Sequence, residues 1–167
     1  MNLKFLMVGL GLTVSFTAGA YFNSPSQYPY GKPSIGCVKI ESQNRGIPLA
    51  VALAINSVER GKTGQAVQNT NNTQDLGAFQ INSIHLPMIA SKFGGTRADL
   101  MQKGCFNAHV AMYLLSQAIN QPNKQHLDYY TRVSGYHSWT PHINAQYRRK
   151  LVTYVQQWND WLRVNPV

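Results

Sequence analysis

The chain has 167 residues, 44% of them hydrophobic and 13% charged, and a formal net charge of +9. That length fits one ordinary domain, and the apolar fraction is enough to build a core while the charge bias is too small for a disordered chain. The positive excess favours an anionic partner without naming it.

Residues 1–20, "MNLKFLMVGLGLTVSFTAGA", combine an early Lys4, an apolar stretch of signal-peptide length and the small-residue run Ala18-Gly19-Ala20. The stretch is short and interrupted by glycine and threonine, which argues for cleavage near Ala20 over a retained membrane anchor. Export is therefore expected, and losing Lys4 leaves a charge of +8. Outside the cytoplasm nucleic acid is a weak partner, and anionic cell-wall polymers or lipid headgroups are stronger ones. An oxidising compartment also lets Cys37 and Cys105 pair as one disulfide rather than stay free or bind metal. Closing a loop of about 70 residues would contribute on the order of 4 kcal/mol in the chain-entropy model.

Residues 21–35 are rich in proline and polar residues with no periodic face, and they read as an extended lead-in that tethers rather than catalyses. A short helix is expected over Ile35 to Asn44, ended by Gly46. Pro48 then suits the first turn of a helix running through "LAVALAINSVER" until Gly61 stops it. Being apolar nearly all round, this is a central core helix. From 62 to 83 the chain is polar up to Asp75 and then alternates loosely in "LGAFQIN", as a small antiparallel hairpin or turn-rich lobe does. Helical spacing returns in "FNAHVAMYLLSQAI". Thr140-Pro141 reads as an N-cap and first-turn proline. The helix it opens puts Ile143, Tyr147, Leu151, Tyr154, Trp158 and Trp161 on a packing side and a basic face outside. The fold class is α+β, mostly helical, with the small β-rich lobe inserted between helices.

Glu59 lies four residues after Ile55 and eight after Val51, on the apolar face of its helix and in the last turn. Apolar surroundings and the negative end of the helix dipole both disfavour its charged form. A glutamic acid that keeps its proton near neutral pH can donate it to a leaving oxygen in glycoside cleavage. On spacing alone, a solvated helix-end glutamate paired with Arg60 or Lys62 is the stronger reading, because such residues are common.

Three stretches, "AINSVERG", "NTNNTQDLGAFQIN" and "YHSWTPHINAQY", resemble in order and spacing the motifs of the soluble lytic transglycosylase domain, a lysozyme-like, goose-type fold. By pattern the chain is similar to the small exported members that accompany secretion, conjugation and pilus machines. The resemblance covers roughly 36 to 155 and delimits a domain over 36–163. It implies that Glu59 is the single catalytic glutamate, that Gly77 and Gln80 are the glycine and substrate-binding glutamine of the second motif, and that Tyr136 is the tyrosine of the third. Phe79 stands where methionine is common, His137 where many members have asparagine, and Arg60 where serine usually follows the glutamate. Such enzymes need no metal or cofactor, because the 6-hydroxyl of muramic acid attacks its own anomeric carbon.

Other residues keep two readings. Asp75 is either a second carboxylate, as a hydrolytic lysozyme would need, or a turn residue capping backbone amides, and the turn is favoured. Asn82 and Ser83 either line the cleft or satisfy the lobe's backbone. His85, His109, His126, His137 and His142 show no metal-site spacing, and His109 reads as a core residue. Tyr129, Tyr130 and Trp139 are sugar-stacking candidates with core packing as the simpler role, while Tyr147, Trp158 and Trp161 read as packing residues. The expected function is a monomeric, exported, periplasmic peptidoglycan lytic transglycosylase acting on glycan strands, possible partners being components of a trans-envelope machine. A hydrolase on the same fold and a catalytically decayed wall-binding assembly factor are the alternatives.

Overall fold

A computed structural model describes residues 24–167, so the expected signal peptide and residues 21–23 lie outside the described residues. Seven α-helices are found among those residues: α1 (Ile35–Gln43), α2 (Leu49–Glu59), α3 (Leu86–Phe93), α4 (Arg97–Gln102), α5 (Gly104–Ile119), α6 (Tyr129–Ser134) and α7 (Pro141–Val164). Between α2 and α3 the strands β1 (Ala66–Gln68), β2 (Gln74–Leu76) and β3 (Ile81–Asn82) form one antiparallel sheet in the order β1-β2-β3. The fold is α+β and lysozyme-like, as expected, with the lobe set between helices.

Helix α2 is the centre. Residues 50–55 are all buried, so every side of its first turns meets protein, as an unbroken run of Ala, Val, Leu and Ile dictates. It packs most extensively against α7, with α1 on another side, and α1 in turn packs on α5. Pro48 precedes the first helical residue as the N-cap instead of sitting in the first turn, and Arg60 caps the other end at φ 54°, one residue before the expected stop at Gly61. α7 buries Asn144, Tyr147, Leu151 and Val155. Trp161 departs from the packing role expected of it: its position at the outer end of the helix leaves it 38% exposed.

The disulfide joins Cys37 in α1 to Cys105 at the start of α5. Ser34 opens α1 by accepting from the Cys37 amide at 3.1 Å, which places the cysteine in the first turn. The lead-in is not an extended tether over its described part. Pro25–Gln27 forms a 3₁₀ turn, Tyr28 is buried, and its hydroxyl donates to Glu41 Oε1 at 3.0 Å. Gly31 pairs with Lys103, donating to the Gln102 carbonyl and accepting from the Gly104 amide. Lys103 Nζ reaches back to the Pro25 carbonyl at 2.9 Å. Composition could not show this docking, because it rests on one buried tyrosine and on backbone pairing.

Candidate active site

The site begins where α2 ends. Arg60 turns the chain into the left-handed region, and Gly61 then passes so close to the lobe that a Cβ on it would lie 2.2 Å from the Gly77 carbonyl oxygen. Asn56, one turn earlier, donates to the Ala78 carbonyl at 2.7 Å. These contacts hold the β2–β3 turn against the last turn of α2, which carries Glu59. The turn is itself unusual: Gly77 has φ +71° and Gln80 φ +50°. Asn107, fully buried in α5, pins it by donating to the Leu76 and Leu100 carbonyls and accepting from the Phe79 amide at 2.8 Å.

Glu59 has only 11% of its side chain exposed. Its Oε1 accepts from the Tyr147 hydroxyl at 2.7 Å and lies 3.9 Å from His137 Nδ1. The His137 ring stacks on Tyr147 with centroids 4.7 Å apart. Burial raises the Glu59 carboxyl to about 7; the Tyr147 hydrogen bond opposes that shift and the charge of Asp75 adds to it. Burial lowers the His137 pKa, with Asp75 opposing and Lys150 reinforcing. Near neutral pH a large fraction of Glu59 therefore keeps its proton, which an ordinary glutamate would have lost, beside an imidazole biased toward its neutral form.

Around Glu59 opens a cleft of about 600 Å³. The lobe supplies Asp75, Gln80 and Asn82, the far end of α5 supplies Leu114, Gln117 and Ala118, and the α6–α7 connection supplies Tyr136, His137 and Trp139. Gln80, held by its own Nε2 donating to the Gly77 carbonyl at 2.9 Å, presents its amide along the wall. Asn82 donates to Asp75 Oδ1 at 2.8 Å and caps the following 3₁₀ turn, so it serves both the cleft and the lobe's backbone. Tyr136 donates to the Phe79 carbonyl at 2.9 Å, tying the α6–α7 connection to the lobe across the floor.

Glu59, Gln80, Asn82, Tyr136 and His137 thus converge on one cleft, as the motifs imply. Gly77 and Phe79 stand behind it: the Phe79 side chain is fully buried, and the space beside Gly77 is filled by Leu100 and Asn107. Neither residue offers side-chain surface to a ligand, because Gly77 has no side chain and Phe79 turns its ring into the core. Asp75 is a strand residue bonded to Asn82 across the sheet rather than a turn residue capping amides. Tyr147 is not merely packing; its hydroxyl is the donor to Glu59. A tyrosine within an otherwise apolar stripe was the signal, since a buried phenol needs a partner. Asn107 carried the same kind of signal, an amide inside an apolar helix. His109 is a half-buried partner of Glu41 at 2.8 Å, remote from the cleft.

No curated protein resembles the chain closely enough to count as a match. Residues 36–151 take in α2 with its terminal glutamate, the lobe, the cleft and the part of α7 that bears Tyr147; they match the family model described as the transglycosylase SLT domain, and the chain belongs to that family.

Proposed function

We propose that the protein is a peptidoglycan lytic transglycosylase that breaks the β-1,4 bond between N-acetylmuramic acid and N-acetylglucosamine and leaves a 1,6-anhydromuramic end. The observation that carries this reading is Glu59, a buried carboxyl at the cleft floor raised to about 7 and aimed by Tyr147. Protonated, it delivers its proton to the glycosidic oxygen as the C1–O4 bond breaks. As a carboxylate it then takes the proton of the muramic 6-hydroxyl, whose oxygen closes on C1. No water is consumed, and Glu59 ends in its starting state. Gln80, Asn82 and His137 are assigned to substrate contact, while Gly77 and Phe79 act by shaping the turn that carries Gln80. The charge of +8 left once Lys4 is lost suits an anionic wall. Export to the periplasm and service to a secretion, conjugation or pilus apparatus are part of the proposal and rest on the motif resemblance.

A hydrolytic reading has one observation in its favour: Asp75 lines the same cleft. Retaining hydrolases use such a second carboxylate, and a water adds to the product. Digestion of purified peptidoglycan, with the soluble fragments weighed, separates the two. Anhydro ends from the wild type and none from Glu59→Gln are expected; fragments heavier by one water would overturn the transglycosylase reading. Wall binding without any fragments would point to an assembly factor.

A further inference from the structure

A second pocket, of about 490 Å³, lies where the last turn of α2 meets the outer face of α7, lined by Val58, Arg60, Lys150, Thr153, Tyr154 and Gln157. We infer that this pocket binds the carboxylate-bearing peptide stem of the muramic unit, and so selects stem-bearing strands over naked glycan. The inference rests on the peptidoglycan reading above and adds a subsite outside the cleft.

Two cations face the pocket without a carboxylate of their own. The ion pairs among the described residues engage Arg45, Lys103, His109, His137, Arg148 and Arg163, and neither Arg60 nor Lys150 is among them. Arg60 is oriented by its NH2 donating to the Tyr154 hydroxyl at 3.4 Å. It also adopts φ 54°, in the left-handed region that any residue with a Cβ enters at a cost and that glycine would take freely. Thr153 and Gln157 add neutral donors, and Val58 contributes an apolar wall against which small aliphatic side chains can rest. A fork of guanidinium and ammonium beside such a wall fits a carboxylate on a short peptide rather than a sugar.

The pocket is also in register with the reacting group. α7 presents Tyr147 to Glu59 and, two turns later, Tyr154 to Arg60, with Lys150 between them. At about 1.5 Å per residue the two tyrosines lie roughly 10 Å apart along the helix. An extended peptide covers roughly 3.5 Å per residue, so a stem of three or four residues spans that gap.

The test titrates the purified protein by NMR with a disaccharide-tetrapeptide, the same molecule with its carboxylates amidated, and the bare disaccharide. Backbone shifts in 58–60 and 150–157 are followed, and each sample's anhydro products from whole peptidoglycan are weighed. The expected result is roughly tenfold tighter binding of the free-acid form, weakening with salt, with that preference abolished in Arg60→Gln and reduced in Lys150→Gln. Equal affinity for the acid and amide forms, or a preference that survives in both variants, overturns the inference even where anhydro products appear. Stem preference without anhydro products would instead sink the transglycosylase chemistry and leave the subsite standing. Both substitutions replace exposed side chains, and an unchanged melting temperature confirms folding.

Discussion

Glu59 holds its proton because the surrounding protein excludes water from it, and that has a thermodynamic consequence. Its pKa rises from 4.5 to about 7 on folding, so the folded state binds more protons than the unfolded one between those values, and stability falls as pH rises through that window. The ionised group destabilises the fold by about 3 kcal/mol at pH 8 and contributes nothing below pH 4. Glu59→Gln keeps the shape and removes the charge. It should therefore stabilise the protein by about that amount at pH 8 and leave it almost unchanged at pH 4, as measured by urea unfolding. A gain independent of pH would refute the assignment. Tyr147 acts in the opposite direction, because its hydrogen bond favours the ionised form. Tyr147→Phe should move the alkaline limb of the pH–rate profile upward and lower kcat by roughly ten- to a hundredfold, the loss of one charge-assisted hydrogen bond. A profile that moves downward would show that the phenol does not donate to Glu59.

At the scale of elements, the β2–β3 turn is the device that joins lobe to helix. Two independent demands fall on Gly77: a positive φ of +71° and a packed neighbourhood, with a Cβ placed 2.4 Å from the Leu100 carbonyl and 2.6 Å from Asn107 Nδ2. Gly94 has nearly the same φ, +65°, but nothing within 4 Å of a Cβ. Comparing alanine at the two sites separates the demands. Gly94→Ala should cost about 1 kcal/mol, the left-handed conformation alone. Gly77→Ala should cost roughly 3 kcal/mol or more and depress activity, because Asn107 must yield and Gln80 moves with the turn. Equal losses in thermal unfolding would mean that the close packing behind the turn is immaterial.

For the whole molecule, the cross-links gather around α1 and α5. The disulfide spans 68 residues of sequence and leaves α2, the lobe, α3 and α4 inside its loop. The docked lead-in adds a second clasp through Tyr28, Glu41 and Lys103. Burial raises the Glu41 carboxyl, but the hydrogen bond and charge of His109, with Tyr28 and Arg45, outweigh it and hold the group below its ordinary value. Replacing both cysteines by serine should lower stability by about 4 kcal/mol, most of it through a less restricted unfolded chain. Urea unfolding of the oxidised, reduced and doubly substituted forms measures this, and coincident curves would disprove it. Catalysis at low temperature should survive the change, since neither sulfur lines the cleft.

Whatever depends on neighbours along the chain is legible in the order of the residues. The apolar run of α2 could only be a buried helix, Thr140-Pro141 could only open one, and the spacing around Glu59 put it on an apolar face at a helix end. The three motifs then identified the family, because short fixed spacings survive as patterns without a structure. Packing between distant segments supplies the rest. Tyr147 and Glu59 are 88 residues apart and meet only because α7 lies along α2. Asn107 reaches the turn from another helix, and Tyr28 finds Glu41 only because the lead-in folds back. Asp75 became a strand residue through pairing with Val67 and Asn82, contacts that a local reading of turn-forming residues does not contain. The physical reason is common to all four: a polar side chain or backbone group shielded from water must find a partner, and local sequence shows the need without showing which other segment supplies it.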